Sequence, residues 1–235
     1  MASTWESIKV DGSDMRLYLS VPESGGPVPG IVVAHGQNGL ENFIKETTQM
    51  LALQGYAAAA PDLFHRDGPD CKDDGPTRRA RLRDDGIIKD VNAAASFLKS
   101  RKQVDGARLG IVGFCMGGRV VYLMAAASAD FKAAVMFYGG NTMTALGEGP
   151  SPFQRTRDIR CPIQGHFGED DANPSPEDMR KLDAELTRWS KAHEFHSYAG
   201  AAHAFVNAGS PNYRPRAAAL SWPKATEFFS RHLVA

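Results

Sequence analysis

The stretch Arg108-Leu-Gly-Ile-Val-Gly-Phe-Cys-Met-Gly-Gly-Arg119 constrains this chain more than any other. Residues 109–112 form an apolar run of strand type, Gly113 to Gly117 spells G-x-C-x-G, and residues 118–128 read as a helix. A strand that turns into a helix this abruptly brings its own backbone close together, so both ends of the turn need small residues. The middle residue, Cys115, sits in strained geometry with its side chain projecting over the end of the sheet. It also stands at a helix N-terminus, where the dipole and free N–H groups favour a thiolate. One reading is a nucleophile elbow with cysteine as nucleophile. The other is a free cysteine packed as a small hydrophobe at a glycine-rich strand end. Partners elsewhere in the chain decide between them.

At 235 residues the chain has room for one large α/β domain. Its 27 basic and 27 acidic residues balance, which gives no electrostatic reason to expect nucleic acid or an acidic membrane as partner. No apolar run reaches the ~18 residues of a membrane span, and the first residues lack the basic and apolar regions of a signal peptide. Cys71, Cys115 and Cys161 are odd in number and far apart, without a CxxC, so neither a disulfide framework nor a zinc site is expected. A reducing cytoplasm suits a chain that keeps a reactive thiol.

In chain order, residues 8–10 and 15–21 are strand-like around the hairpin signal Asp11-Gly-Ser-Asp14. A Gly/Pro-rich link over 22–29 leads to a buried strand at 30–34 and then to the loop His35-Gly-Gln-Asn-Gly39. A helix over 42–54 closes at Gly55, and the next strand, 56–60, stops at Pro61. Residues 64–75 are a polar surface loop, followed by the basic run Arg78-Arg-Ala-Arg-Leu-Arg83. That run reads as a solvated helix face, the alternative being that one or two arginines turn toward a substrate carboxylate. A helix spans 87–98 with Ile87, Ile88, Val91, Ala95 and Leu98 on one face. Beyond the elbow helix come strands at 132–138, 162–168 and 194–198, a loop at 141–158 near the site mouth, a capped helix from Ser175 to about Ala192, and a closing helix at 224–233. Strands alternating with helices predict a mostly parallel sheet with helices on both faces, in a single domain over residues 1–235 without a separate lid.

Active residues of such sheets gather at the carboxyl ends of the strands. The strand ending at Gly168 runs into Glu169-Asp-Asp171, the one ending at Tyr198 into Ala199-Gly-Ala-Ala-His203, and the one ending at Ala34 into His35-Gly-Gln37. The order Cys115, Asp171, His203 is the nucleophile–acid–base order of α/β-hydrolases. His203 takes the thiol proton and later protonates the leaving oxygen. Asp171, favoured over the adjacent Asp170, orients the imidazole and stabilises its charged form. The main-chain N–H groups of Gln37 and Met116 are the expected oxyanion donors, each worth about 3 kcal/mol of transition-state stabilisation. An Asp near a helix start is often only a cap, and His203 has the alternative of a buried structural histidine. His35 more readily shapes the oxyanion loop than acts as a base. His65, His166, His193, His196 and His232 show no HExxH-type spacing, so no metal and no other cofactor is expected. Cys71 and Cys161 have no elbow and are incidental.

Four pieces, Gly55-Tyr-Ala-Ala-Ala-Ala-Pro-Asp-Leu63, Gly113-Phe-Cys-Met-Gly-Gly118, Phe167-Gly-Glu-Asp-Asp-Ala-Asn-Pro-Ser-Pro176 and Tyr198-Ala-Gly-Ala-Ala-His-Ala-Phe205, resemble the dienelactone hydrolase family of the α/β-hydrolase superfamily. The resemblance implies a Cys–His–Asp triad on Cys115, His203 and Asp171, with Asp171 in the place of the family's acid. It also implies an acyl-thioenzyme intermediate in the cleavage of a small ester or lactone. Lactone-cleaving members carry a glutamate where Gly36 stands and grip a substrate carboxylate with two arginines. Arg79 or Arg81 matches one of them, and the second falls near Asn207. The expectation is therefore a cytoplasmic, cofactor-free hydrolase with a small-molecule partner, a monomer or small homo-oligomer. A non-catalytic small-molecule binder and an acyltransferase on the same fold are the alternatives.

Overall fold

The computed structural model describes residues 1–23 and 26–234, so the link expected over 22–29 lies partly outside the described residues at Ser24 and Gly25. Eight strands form one sheet: β1 Ala2–Val10, β2 Ser13–Val21, β3 Val28–Ala34, β4 Ala57–Pro61, β5 Val104–Phe114, β6 Phe131–Phe137, β7 Ile163–Gly168 and β8 His193–Tyr198. Their spatial order is β1-β2-β4-β3-β5-β6-β7-β8. Only β2 runs against its neighbours, and β3 to β8 are parallel. From β3 the chain crosses outward to β4, then returns past β3 to β5. The carboxyl ends of β3 and β5 therefore flank the crevice where chain direction reverses, the place where open α/β sheets bind ligands.

Alternation along each central strand assigns the helices to two layers. Val32, Ala34, Leu109, Ile111 and Met136 point to one side, packed with Ile87, Val91 and Leu98 of α3 (Asp84–Lys99), Val120 and Leu123 of α4 (Met116–Ala127), and Leu182 and Leu186 of α5 (Pro176–Arg188). Ile31, Val33, Val112, Phe114 and Phe137 point to the other side, packed with Ile44 and Leu51 of α1 (Asn42–Leu53) and Phe228, Phe229 and Leu233 of α6 (Pro215–Leu233). Strands apolar on both faces are what a sheet covered on both sides requires. The short helix α2 spans Gly75–Ala80 within the basic stretch.

Three boundaries differ from the sequence expectation, each for a physical reason. β1 starts at Ala2 rather than residue 8, because the edge strand pairs with β2 along its whole length (Ala2 opposite Val21) while its side chains stay mostly exposed. Apolar patterning does not see such a segment. α6 begins at Pro215 rather than residue 224 and runs through Pro223. Pro223 forfeits the bond to the carbonyl of Ala219, but Ala219 is exposed, and the burial of Ala217, Ala218, Ala225, Phe228 and Phe229 on the opposite side holds the helix together. α5 stops at Arg188 because Ser190 turns left-handed (φ 52°). The Lys191 N–H then closes the end on the Leu186 carbonyl at 2.9 Å.

Candidate active site

The elbow is built by close approach. A side chain at Gly117 would run into the carbonyl of Ala34, one at Gly113 into the carbonyl of Gly117, and one at Gly118 into the carbonyl of Phe137. With glycine at all three, α4 can start directly at the end of β5 and in contact with the ends of β3 and β6. Cys115, caught between strand and helix, takes φ 59° and ψ −119°. Its N–H donates to Phe137 O at 3.1 Å, and its carbonyl accepts from Gly118 N–H at 2.9 Å. Six non-glycine residues have positive φ among the described residues, and four of them, Cys115, Tyr138, Asn141 and Ala204, line the cavities around the thiol. Backbone strain of this kind persists only where the surrounding structure enforces it, and it concentrates at functional sites.

The loops after β7 and β8 bring an acid and a base to the thiol. Asp171 is buried, and its Oδ2 accepts from His203 Nδ1 at 2.9 Å while its Oδ1 accepts from Asn173 N–H at 2.9 Å. With Nδ1 committed to Asp171, the other ring nitrogen is the one available to Cys115. Burial works against a thiolate at Cys115, but the hydrogen bond to His203, its charge, and the N–H groups of Met116 and Gln37 outweigh burial and lower the thiol pKa. Burial likewise works against imidazolium, and the bonds to Asp171 and Cys115 with their charges overcome it, raising His203 to about 10. The two directions agree: each favours the charged form of its group, thiolate at Cys115 and imidazolium at His203. Gln37, on the loop after β3, and Met116, the first residue of α4, already point their N–H groups at the nucleophile.

Two cavities meet at this centre. They share Gln37, Cys115 and His203 and no other residue. The larger, about 320 Å³, extends over Met116, Gly140, Asn141 and Asn173 and is lined by Arg79. The smaller, about 120 Å³, lies on the Phe114 side and is lined by Glu41, Phe43, Tyr138 and Asn207. Arg79 comes from α2, whose first residue, Gly75, lies so close to the Gln37 carbonyl that any side chain there would collide with it. That contact seats the helix on the oxyanion loop. One turn later, the half-buried side chain of Arg79 makes no hydrogen bond or ion pair with the described residues. A larger groove of about 370 Å³ on the Arg66–Arg83 face has acids and bases paired along its walls and contains no nucleophile.

A model of the dienelactone hydrolase family matches residues 15–233, nearly the whole chain. The chain belongs to the dienelactone hydrolase family. This family of ester and lactone hydrolases shares the α/β-hydrolase fold described above. An Escherichia coli K12 protein named "Putative carboxymethylenebutenolidase" is 33% identical over 233 residues, covering 96% of this chain and 86% of that protein. A Bradyrhizobium protein named "Probable 2-oxo-3-(5-oxofuran-2-ylidene)propanoate lactonase" is 29% identical over 238 residues, 99% of this chain and 96% of its own. The crystal structure of a "Putative Dienelactone Hydrolase" from Klebsiella pneumoniae superposes with a TM-score of 0.91 at 29% identity, covering 98% of both chains.

The residues considered as substrate contacts of this family member separate in space. Arg79 reaches the larger cavity and Asn207 the smaller. Arg81 reaches neither. It is exposed, and its guanidinium is held by Asp67 and Asp73, both at 2.8 Å. His35 lines neither of the two cavities. It is wholly buried beneath the oxyanion loop, where Nε2 accepts from Leu63 N–H at 3.0 Å and Nδ1 therefore carries the proton that it donates to Gly36 O at 2.6 Å. Burial lowers its pKa and keeps it neutral. His35 shapes the loop that carries Gln37. Gly36 does lie against the nucleophile, an added Cβ being 3.4 Å from Cys115 Cβ.

Two contributors had no sequence signal of their own. Arg119 is buried and paired to Asp84 through two bonds of 2.6 and 3.0 Å. It also donates to the carbonyls of Asn141 at 3.1 Å and Thr144 at 2.6 Å, fixing the loop after β6 that walls the larger cavity. Asn173 accepts from Asn141 N–H at 3.1 Å and ties that loop to the one carrying Asp171. Among the described residues no group of three or more His, Cys, Asp or Glu side chains could hold a metal ion, and no helix is long and apolar enough to cross a membrane.

Proposed function

We propose that this dienelactone hydrolase family member cleaves a small carboxylic ester or lactone through Cys115, His203 and Asp171, by way of an acyl-thioenzyme. The observation that carries the reading is the strained thiol with its pKa lowered, facing an imidazole raised by a buried carboxylate 2.9 Å behind it. The Cys115 thiolate attacks the carbonyl carbon, and the oxygen that gains charge is met by the N–H groups of Gln37 and Met116. His203 gives its proton to the leaving alkoxide as the tetrahedral adduct collapses, leaving a thioester on Cys115 and a neutral imidazole. Water then loses a proton to His203 and attacks the thioester, which releases the carboxylic acid and restores the ion pair. With a lactone, the alcohol and the acid leave as one hydroxy acid. Arg79, unpaired at the wall of the larger cavity, suits a substrate with a carboxylate on that side.

The test is hydrolysis of nitrophenyl acetate and of cis- and trans-dienelactone by wild type and Cys115→Ala. Turnover by wild type that falls at least a thousandfold in the variant supports the mechanism. Full activity in Cys115→Ala sinks it.

A further inference from the structure

The smaller cavity has a chemistry of its own. Glu41 stands at the N-cap position of α1, yet its carboxylate makes no capping bond. Half-buried, it has no hydrogen bond or ion pair with the described residues and lines the cavity wall. The same cavity is lined by Tyr138, only 1% exposed and forced to φ 39° at the end of β6. Its ring is wedged 5.1 Å from His203 and 5.4 Å from Phe205, and its hydroxyl makes no hydrogen bond with the described residues. A phenol buried to this degree almost always has a partner, and the space in front of this one is the cavity. Burial first, then the negative charges of Cys115, Glu41 and Asp171, raise its pKa, so the hydroxyl keeps its proton and Glu41 is near enough to act on it. Asn207 completes the polar lining. Its Oδ1 is taken by Gly209 N–H at 2.9 Å, which leaves its amide N–H groups free.

We propose that Glu41 and Tyr138 form a specificity subsite that takes a short fragment carrying an O–H or N–H donor, a hydroxyl or ammonium, placed next to the scissile carbonyl. The proposal rests on Cys115 being the nucleophile, since the subsite borders on its thiol. No Lys or Arg lines this cavity, whereas Arg79 lines the other. Anionic groups are directed to the larger cavity and donors to the smaller, which gives the substrate a direction across Cys115. A volume of about 120 Å³ corresponds to roughly four waters at about 30 Å³ each, enough for two or three carbons and one polar atom. Phe43, Ile44 and Phe114 supply the apolar floor for those carbons.

Reaction of Cys115 with alkyl methanethiosulfonates tests the subsite without requiring hydrolysis. The thiolate attacks the sulfenyl sulfur, a disulfide forms, and methanesulfinate leaves with the bonding pair, so Cys115 carries the alkylthio group. Hydroxyethyl and propyl reagents are close in size and both neutral, and the aminoethyl reagent adds charge. Rates are measured by mass spectrometry in a Cys71→Ser background and divided by the same rates with free cysteine. In the protein, the hydroxyethyl or aminoethyl reagent is expected to gain about tenfold over propyl. Glu41→Leu is expected to abolish that gain, and Tyr138→Phe to reduce it severalfold. Glu41→Gln, which keeps size and an acceptor oxygen, is expected to remove the aminoethyl gain and keep the hydroxyethyl one. A gain confined to aminoethyl assigns the subsite to ammonium, and one confined to hydroxyethyl assigns it to alcohol. Equal ratios in wild type and Glu41→Leu overturn the proposal. Ester turnover by wild type against Cys115→Ala, read separately, tells failure of the hydrolase reading from failure of the subsite.

Discussion

Replacing Asp171 by Asn removes one charge and leaves the shape almost unchanged, which makes it the sharpest probe of the ion pair. Asp171 Oδ2 accepts from His203 Nδ1, and the pair raises His203 from 6.5 to about 10 together with Cys115. Equal shares of that rise for the two anions give Asp171 about 2 kcal/mol, at about 1.36 kcal/mol per pKa unit. His203 is one-third exposed, and solvent screening trims this toward ~1.5 kcal/mol. The coupling is reciprocal. Whatever the imidazolium loses, the thiolate beside it loses as a proton acceptor's partner, and the Cys115 pKa rises. Below its pKa the thiolate population falls tenfold per unit, so iodoacetamide alkylation of Cys115 in Asp171→Asn is expected to slow by about ten- to thirtyfold at pH 6. The sign follows from the direction of each shift. In wild type the thiol pKa is lowered, so fast alkylation extends below the ordinary thiol range and is lost as pH falls through the lowered value. In the variant that loss begins at higher pH, and the two profiles converge in base, where both thiols are ionised. Hydrolysis is expected to fall further, by about 10²- to 10⁴-fold, because the amide also permits the wrong imidazole tautomer. Superimposable alkylation profiles for the two proteins, from pH 5 to 10, would refute the argument.

Other consequences can be checked with single substitutions. Arg79→Ala is expected to raise KM about tenfold for a carboxylate-bearing ester and to leave a neutral ester within twofold, while Arg81→Ala, tied up with Asp67 and Asp73, changes neither. Steady-state kinetics on the paired esters reads both. Gly36→Glu sets a carboxylate against Cys115, since the added Cβ stands 3.4 Å from Cys115 Cβ. Like charge is then expected to raise the thiol pKa by one or more and to slow alkylation at pH 6 about tenfold, the same rate being the readout. Arg119→Met leaves buried Asp84 without its cation, with an expected loss of about 3–5 kcal/mol in urea unfolding. Asp84→Asn with Arg119→Met should recover part of that loss, as a buried pair replaced together does.

The residues that mark the site in the sequence share one property: their backbone does something few sequences permit. Gly113, Gly117 and Gly118 are legible because each faces a carbonyl where a side chain cannot fit. The parallel sheet is legible because β3, β5 and β6 are apolar on both faces. β1 was only partly legible, since an edge strand is held by main-chain bonds that leave its side chains exposed. The first turns of α6 are not legible, since Pro223 interrupts the helical pattern locally while the burial of Ala217 and Ala218 against the sheet that keeps the helix going is a tertiary effect. The sequence leaves open which of the four arginines in the basic run turns inward, Arg79 and Arg81 standing as alternatives. Arg78 and Arg81 turn to Asp67, Arg83 caps the carbonyls of Ala80 and Leu82, and Arg79 turns to the cavity. Adjacent residues on a one-and-a-half-turn helix diverge by about 100° each, so which one faces the thiol depends on where Gly75 seats the helix, a tertiary fact.

That seating bears on what kind of substrate the site can hold. Arg119 is the other guanidinium at the cavity wall, but Asp84 and two carbonyls use its donors, so it offers a substrate little beyond its edge. Arg79 therefore stands alone as a grip for an anion. A single half-buried guanidinium can hold one carboxylate through two parallel bonds, but it cannot fix the rest of the molecule by itself. Orientation then falls to the waist between the cavities, where Gln37, Cys115 and His203 are the only shared walls. A ligand anchored at Arg79 and reaching across this waist would, on the subsite proposal, place its far end against Glu41 and Tyr138. On the subsite proposal the two ends face opposite charges, so a substrate bound in reverse would set its carboxylate against Glu41 and, where its other end is an ammonium, that cation against Arg79. Such a site discriminates by penalising the wrong direction as much as by favouring the right one. Charge reversal at either end, Arg79→Glu or Glu41→Lys, should therefore cost an asymmetric ester more than the neutral substitutions do, and the double reversal should recover turnover only for the substrate read backwards.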